Sequence, residues 1–129
     1  MNIKGRKISG GKASGEVLFS GEGISFYGGV DPNTGFVVEK GHPLEGKCIT
    51  GKVLVFPQGK GSTVGSYTMY RLAKNGNAPA AIVNRECETI VAVGAIISNI
   101  PCVDKIDIES IKACLTIDID ADNGTLTAK

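Results

Sequence analysis

Ser62 stands in a run of small and hydrogen-bonding residues, Pro57-Gln58-Gly59-Lys60-Gly61-Ser62-Thr63-Val64-Gly65-Ser66. The run lies between an apolar segment, Val53-Leu54-Val55-Phe56, and a stretch from Gly65 that can form a short helix. A glycine loop entering a helix exposes unpaired backbone N–H groups at the positive helix end, and small residues let an anion come close. A serine there has two possible jobs. It caps the helix, or its hydroxyl is catalytic, with the alkoxide stabilised by the same amides. Residue types alone favour the cap.

Two other anion loops are excluded by spacing. A phosphate-binding Walker loop needs Gly-Lys followed by Ser or Thr, whereas Lys60 precedes Gly61 and the serine follows it. The dinucleotide fingerprint needs its third glycine three residues after the second, and Gly65 comes one residue too late after Gly61. Within the loop, Lys60 is either a solvated lysine or a ligand for phosphate or carboxylate. Thr63 and Ser66 either hydrogen-bond substrate or cap the first helical turn. Tyr27-Gly28-Gly29 with Asp31-Pro32-Asn33 reads as a glycine turn followed by an Asp-Pro turn, or as a second loop lining a cleft. His42, before Pro43, reads as a turn residue rather than a base or phosphocarrier. Arg85 and Glu86 either face a cleft or pair with each other.

The cysteines, Cys48, Cys87, Cys102 and Cys114, show no C-x-x-C spacing, and the single histidine lies six residues before Cys48. Four small, mostly buried thiols are expected, and no metal site built from this chain alone. Fourteen basic and thirteen acidic residues leave a net charge of +1, interspersed without a basic run. That argues against a nucleic-acid partner. No apolar run is long enough to span a bilayer, and the first residues lack the apolar core of a signal peptide, so neither a membrane partner nor export is expected and a cytoplasmic location is.

The elements that must position the loop are short. Lys4–Ser9, Gly15–Ser20, Gly35–Glu39 and Val53–Phe56 read as strands, the last covered on both faces. Gly65–Lys74 reads as a helix stopped at Asn75-Gly76. Ala80–Val83 and Pro101–Val103 read as strands. Thr89–Ser98 fits helix or strand, and its length and alanines favour helix. Ile108–Ala113 reads as a short helical turn. Leu115–Asp120 alternates at period two and pairs with Thr125–Thr127 through an Asn123-Gly124 turn. With 18 glycines in 129 residues and no linker or repeat, one domain over residues 1–129 is expected. Its class is α/β, a mixed sheet or barrel-like core with short helices packed at one side.

Gly59-Lys60-Gly61-Ser62-Thr63 after a buried strand resembles the Gly-x-Gly-Ser-Ser/Thr loop of the swivelling β/β/α domain of the aconitase superfamily. Further segments agree in order and spacing with the small subunit of its aconitase X branch. They are Ser25-Phe26-Tyr27-Gly28-Gly29-Val30-Asp31-Pro32 with Gly35, His42-Pro43-Leu44 with Gly46, and Ala78-Pro79-Ala80-Ala81-Ile82-Val83, and the similarity runs from about residue 5 to 105. The resemblance implies one half of a two-subunit hydro-lyase acting on a small anionic hydroxy acid. For archaeal members of the branch that acid is (R)-5-phosphomevalonate, dehydrated to trans-anhydromevalonate 5-phosphate; a hydroxyproline also suits the chemistry. Ser62 would be the base. Gly28, Gly29, Gly59, Lys60, Gly61, Thr63 and Ser66 would line the substrate site. A 4Fe-4S iron–sulfur cluster would sit on the large subunit of the heterodimer. Val64 stands where aconitase proper has an arginine that holds a substrate carboxylate, which leaves Lys60, Arg85 or the partner to supply that charge. A swivelling domain that only binds, with Ser62 as a cap, is the alternative from a different class.

Overall fold

Eight short strands in one mixed sheet form the frame; the structure, a computed structural model, describes residues 1–129. The strands are β1 Asn2–Lys4, β2 Arg6–Ser9, β3 Lys12–Phe19, β4 Val53–Phe56, β5 Ala81–Asn84, β6 Cys102–Asp104, β7 Thr116–Asp120 and β8 Thr125–Ala128. Their spatial order is β1-β8-β7-β3-β4-β5-β6-β2. The pairs β3–β4, β4–β5 and β5–β6 are parallel, and the rest antiparallel. β1 and β2 lie at opposite ends of that order but adjoin in sequence at Gly5. One kinked strand thus joins both edges and closes the sheet into a barrel. The joint requires glycine: a Cβ at position 5 would run into the backbone carbonyl of Asp104 and come within 2.6 Å of Ile106.

The continuous apolar runs are explained by burial on both faces. In β4, Val53 and Val55 point into the barrel with Val83, Val103, Ile117 and Leu126. Leu54 and Phe56 point outward, into a second core with Ile82, Met69, Leu72 and Val91. That second core is covered by two helices, α2 Gly65–Lys74 and α3 Thr89–Ser98, and by the long segment between β3 and β4. Glu88 caps α3, its carboxylate accepting from Ile90 and Val91 N–H at 2.8 Å each. The α3 segment is therefore a helix, as its length and alanines favour.

Three expectations need correction. Lys4–Ser9 is two strands, because its halves serve opposite edges of the sheet. Gly35–Glu39 joins no sheet: Val37 bridges Val30 and Phe36 bridges Cys48, one residue each. Val37 alone in its centre is buried, while Phe36 and Val38 are exposed, so the apolar run belongs to a loop packed by one side on the outer core. Of the four cysteines only Cys102 is fully buried, and the other three are half-buried. Phe26–Gly29, the first helical element (α1), is one distorted turn with Tyr27 at ψ 117° and Gly28 at φ 81°, in keeping with the glycine turn.

Candidate active site

The serine loop leaves the carboxyl end of β4 and enters α2. Its start is clamped. The carbonyl of Pro57 accepts from Arg85 and Glu86 N–H, 3.1 Å each, and Asn84 Nδ2 donates to Phe56 O at 2.9 Å. Gln58 to Lys60 then run beside Ile24: Ile24 N–H donates to Gln58 O at 3.2 Å, and Lys60 N–H to Ile24 O at 3.0 Å. Gly59 is buried against α3, where a Cβ would occupy the place of the Glu88 carboxylate and approach Val91 to 2.6 Å. Gly61, at φ 93°, turns the chain where a Cβ would strike the Ser25 hydroxyl. Ser25 Oγ in turn donates to Tyr27 O at 3.0 Å.

Gly61, Ser62, Thr63 and Val64 are all exposed. Ser62 Oγ accepts the Val64 N–H at 3.2 Å, and Ser62 O accepts from Gly65 N–H at 2.9 Å. The N–H groups of Gly61, Ser62 and Thr63 donate to no group of the chain. The loop thus carries three unpartnered amides and one hydroxyl at the start of a ten-residue helix, and the Val64 amide is already bonded to the hydroxyl oxygen. Such a constellation can bind an anion or hold a serine oxygen that carries negative charge.

The remaining sequence-derived residues separate into near and far. Gly28 lies in an exposed turn beside the α2 entrance; a Cβ on Gly65 would come within 3.7 Å of Tyr27 N. Gly29 is buried, and its carbonyl accepts from Val38 and Glu39 N–H. Lys60 Nζ is paired with Glu39 at 3.0 Å. Ser66 is turned away, donating to Ile90 O of α3 at 2.6 Å, so its hydroxyl ties the two helices together. Glu86 pairs with Lys105 at 3.0 Å rather than with Arg85. His42 is a buried turn residue: Nδ1 accepts from Leu44 N–H and Nε2 faces Gly23 O, both at 3.0 Å. Both ring nitrogens are engaged, which removes the phosphocarrier role.

Two residues at the site were assigned no role from sequence: Ser25, which lies in a quoted motif, and Arg71, which lies in none. Ser25 supports Gly61 from a distant segment. Arg71 lines a cleft of ≈ 270 Å³ with Tyr27, Gly28, Val38 and Thr68. The spacing of Val64, Thr68 and Arg71, at i, i+4 and i+7, was the available signal for a shared helix face.

No three of the His, Cys, Asp and Glu side chains come together as a metal site. The Cys102 thiol is pushed well up by its hydrogen bond with Cys87 and by burial, the opposite of what a cluster ligand needs. The residues of this chain do not fit an iron–sulfur cluster.

Comparison with known proteins bears on the family and the fold. The family model described as aconitase X swivel domain matches residues 2–128. A protein of Thermococcus kodakarensis named phosphomevalonate dehydratase small subunit is 56% identical over 124 residues, covering 96% of this chain and 93% of that one. One of the same name from Methanosarcina mazei is 66% identical over 107 residues, 83% of this chain and 74% of that one. The crystal structure of Thermococcus kodakaraensis aconitase X, in its holo form, superposes with a TM-score of 0.97 at 53% identity, covering 100% and 98% of the two chains.

Proposed function

The chain belongs to the aconitase X swivel domain family, and from that membership we propose that it is the small subunit of a phosphomevalonate dehydratase with Ser62 as its base. The observation that carries the reading is the Ser62 hydroxyl in a glycine loop at the start of α2, where it accepts the Val64 N–H and the N–H groups of Gly61, Ser62 and Thr63 have no partner. The reaction removes a proton from the carbon next to the substrate carboxylate and hydroxide from the neighbouring carbon, one water in all, leaving a conjugated enoate. Ser62 Oγ takes the proton as the C–H electron pair becomes the new double bond. A serine hydroxyl is a weak base, so its deprotonated form needs strong stabilisation. The α2 amides supply it by hydrogen bonds whose strength grows once water is excluded.

Because Ser62 is open to solvent in this chain, exclusion of water falls to a large subunit that covers the loop. An iron–sulfur cluster held by that subunit would supply the Lewis acid for the leaving hydroxyl. Glycines 59 and 61 fix the loop path, and Gly28 opens the neighbouring wall.

The test is Ser62→Ala in the two-subunit enzyme, prepared anaerobically. Turnover of phosphomevalonate is expected to fall by about 10²–10⁴-fold while the subunits still co-purify. Retention of the wild-type rate would remove Ser62 as the base and leave it a helix cap.

A further inference from the structure

We propose that the cleft headed by Arg71 is the subsite for the phosphate monoester end of the substrate. The inference rests on the dehydratase reading above and concerns the same site. The cleft adjoins the serine loop along one face of α2: Val64 closes the loop, Thr68 Oγ1 donates to Val64 O at 3.4 Å, and Arg71 follows on the same face. Seven residues separate Val64 from Arg71, roughly 10 Å of helix. Long helical side chains lean back toward the amino end, which brings the guanidinium toward the loop. The reacting carbon and the phosphorus of phosphomevalonate are five bonds apart, and the backward reach of Arg71 shortens the gap that such a substrate must bridge.

Charge points to the same residue. Arg71 has no carboxylate within 4.0 Å, whereas Lys60, the cation inside the loop, is paired with Glu39. Arg85 lies at the end of β5 and does not line the cleft. The one carboxylate lining the cleft, Asp31, accepts the Asn33 N–H at 2.9 Å and is held in its own turn. The opposite wall is the Tyr27-Gly28 turn, where Gly28 at φ 81° has nothing within 4 Å of a Cβ position. An exposed guanidinium offers a planar fork suited to two phosphate oxygens. Arg71 thereby supplies a cation for the phosphate, a duty separate from the carboxylate contact that an arginine makes at the place of Val64 in aconitase proper.

The experiment compares phosphomevalonate with mevalonate, which lacks the phosphate, as substrates of the complete two-subunit enzyme carrying wild-type Arg71, Arg71→Met or Arg71→Lys. The methionine variant is expected to lose about 100-fold in kcat/KM for phosphomevalonate, with little change for mevalonate, and lysine to restore part of the loss. Calorimetric binding of the two compounds to the same complexes reads the subsite even if Ser62 is not the base. The expected result there is a weaker Kd for phosphomevalonate only. Equal losses for both compounds, unchanged kinetics and binding, or a wild type that does not distinguish them would each overturn the assignment.

Discussion

At the scale of single residues, Gly61 and Ser25 show how narrowly the serine is placed. Gly61 adopts φ 93°, and a Cβ would press on both Oγ and Cβ of Ser25. Gly61→Ala therefore combines left-handed strain of about 1–2 kcal/mol with a steric push on the residue before Ser62. The loop is exposed, so the fold tolerates the change while the geometry does not. The expected outcome is a loss of about tenfold or more in kcat, with the melting temperature lowered by only a few degrees. Kinetics and a thermal melt on the same preparation check it. The loop itself was legible in the sequence, since glycine, serine and a following helix announce each other locally. Arg71 was not legible as a site residue, because its relevance depends on the Tyr27 turn, more than forty positions earlier in the sequence, packing beside α2.

At the scale of elements, β2, β6 and the turn after β5 are held by one buried carboxylate. Asp104 accepts Arg6 Nε at 2.9 Å, Arg6 Nη2 at 2.7 Å and Cys87 N–H at 2.8 Å. Burial alone would raise its pKa; the Arg6 guanidinium and the Cys87 amide outweigh that and hold the carboxyl below its usual range. A carboxyl whose folded pKa is depressed stabilises the fold above its unfolded value, and the contribution is lost as pH falls through the folded one. Asp104→Asn is expected to cost about 2–3 kcal/mol at pH 7, through the lost charge-assisted bonds. It should also flatten the fall in stability of the wild type below about pH 4. Denaturant titrations of both proteins from pH 3 to pH 7 measure the two effects together.

The same elements show what sequence pattern can and cannot convey. Val53–Phe56 and Ala80–Val83 read as buried strands because both their faces are covered, the second found one residue later at Ala81–Asn84. Gly35–Glu39 misled because Phe36-Val37-Val38 is apolar throughout, and a loop that buries one side on a core carries such a run as a strand does. Lys4–Ser9 concealed its division because Gly5 is explained only by two edges meeting there.

At the scale of the whole molecule, two cores share one sheet. The barrel interior steadies the carboxyl ends of β4 and β5, from which the site grows, while the outer core sets α2 against α3 and fixes the direction of its amides. The site is thus borne by the parallel part of the sheet, and the closing strand lies elsewhere.

That closing strand determines the order of assembly. Residues 2–4 have their partners at 125–127, almost the full length of the sheet's chain away, and Ala128 N–H donates to Met1 O at 2.8 Å. Contacts across nearly the whole chain pay the largest loop-closure entropy, so they form after the nearer β4–β5 pairing. Until β8 pairs, the barrel is an open sheet with two unpaired edges. Pulse-labelled hydrogen exchange during refolding should show the amides of Gly5 and Ala128 gaining protection after those of β4 and β5. Simultaneous protection would mean that closure nucleates the fold instead of completing it.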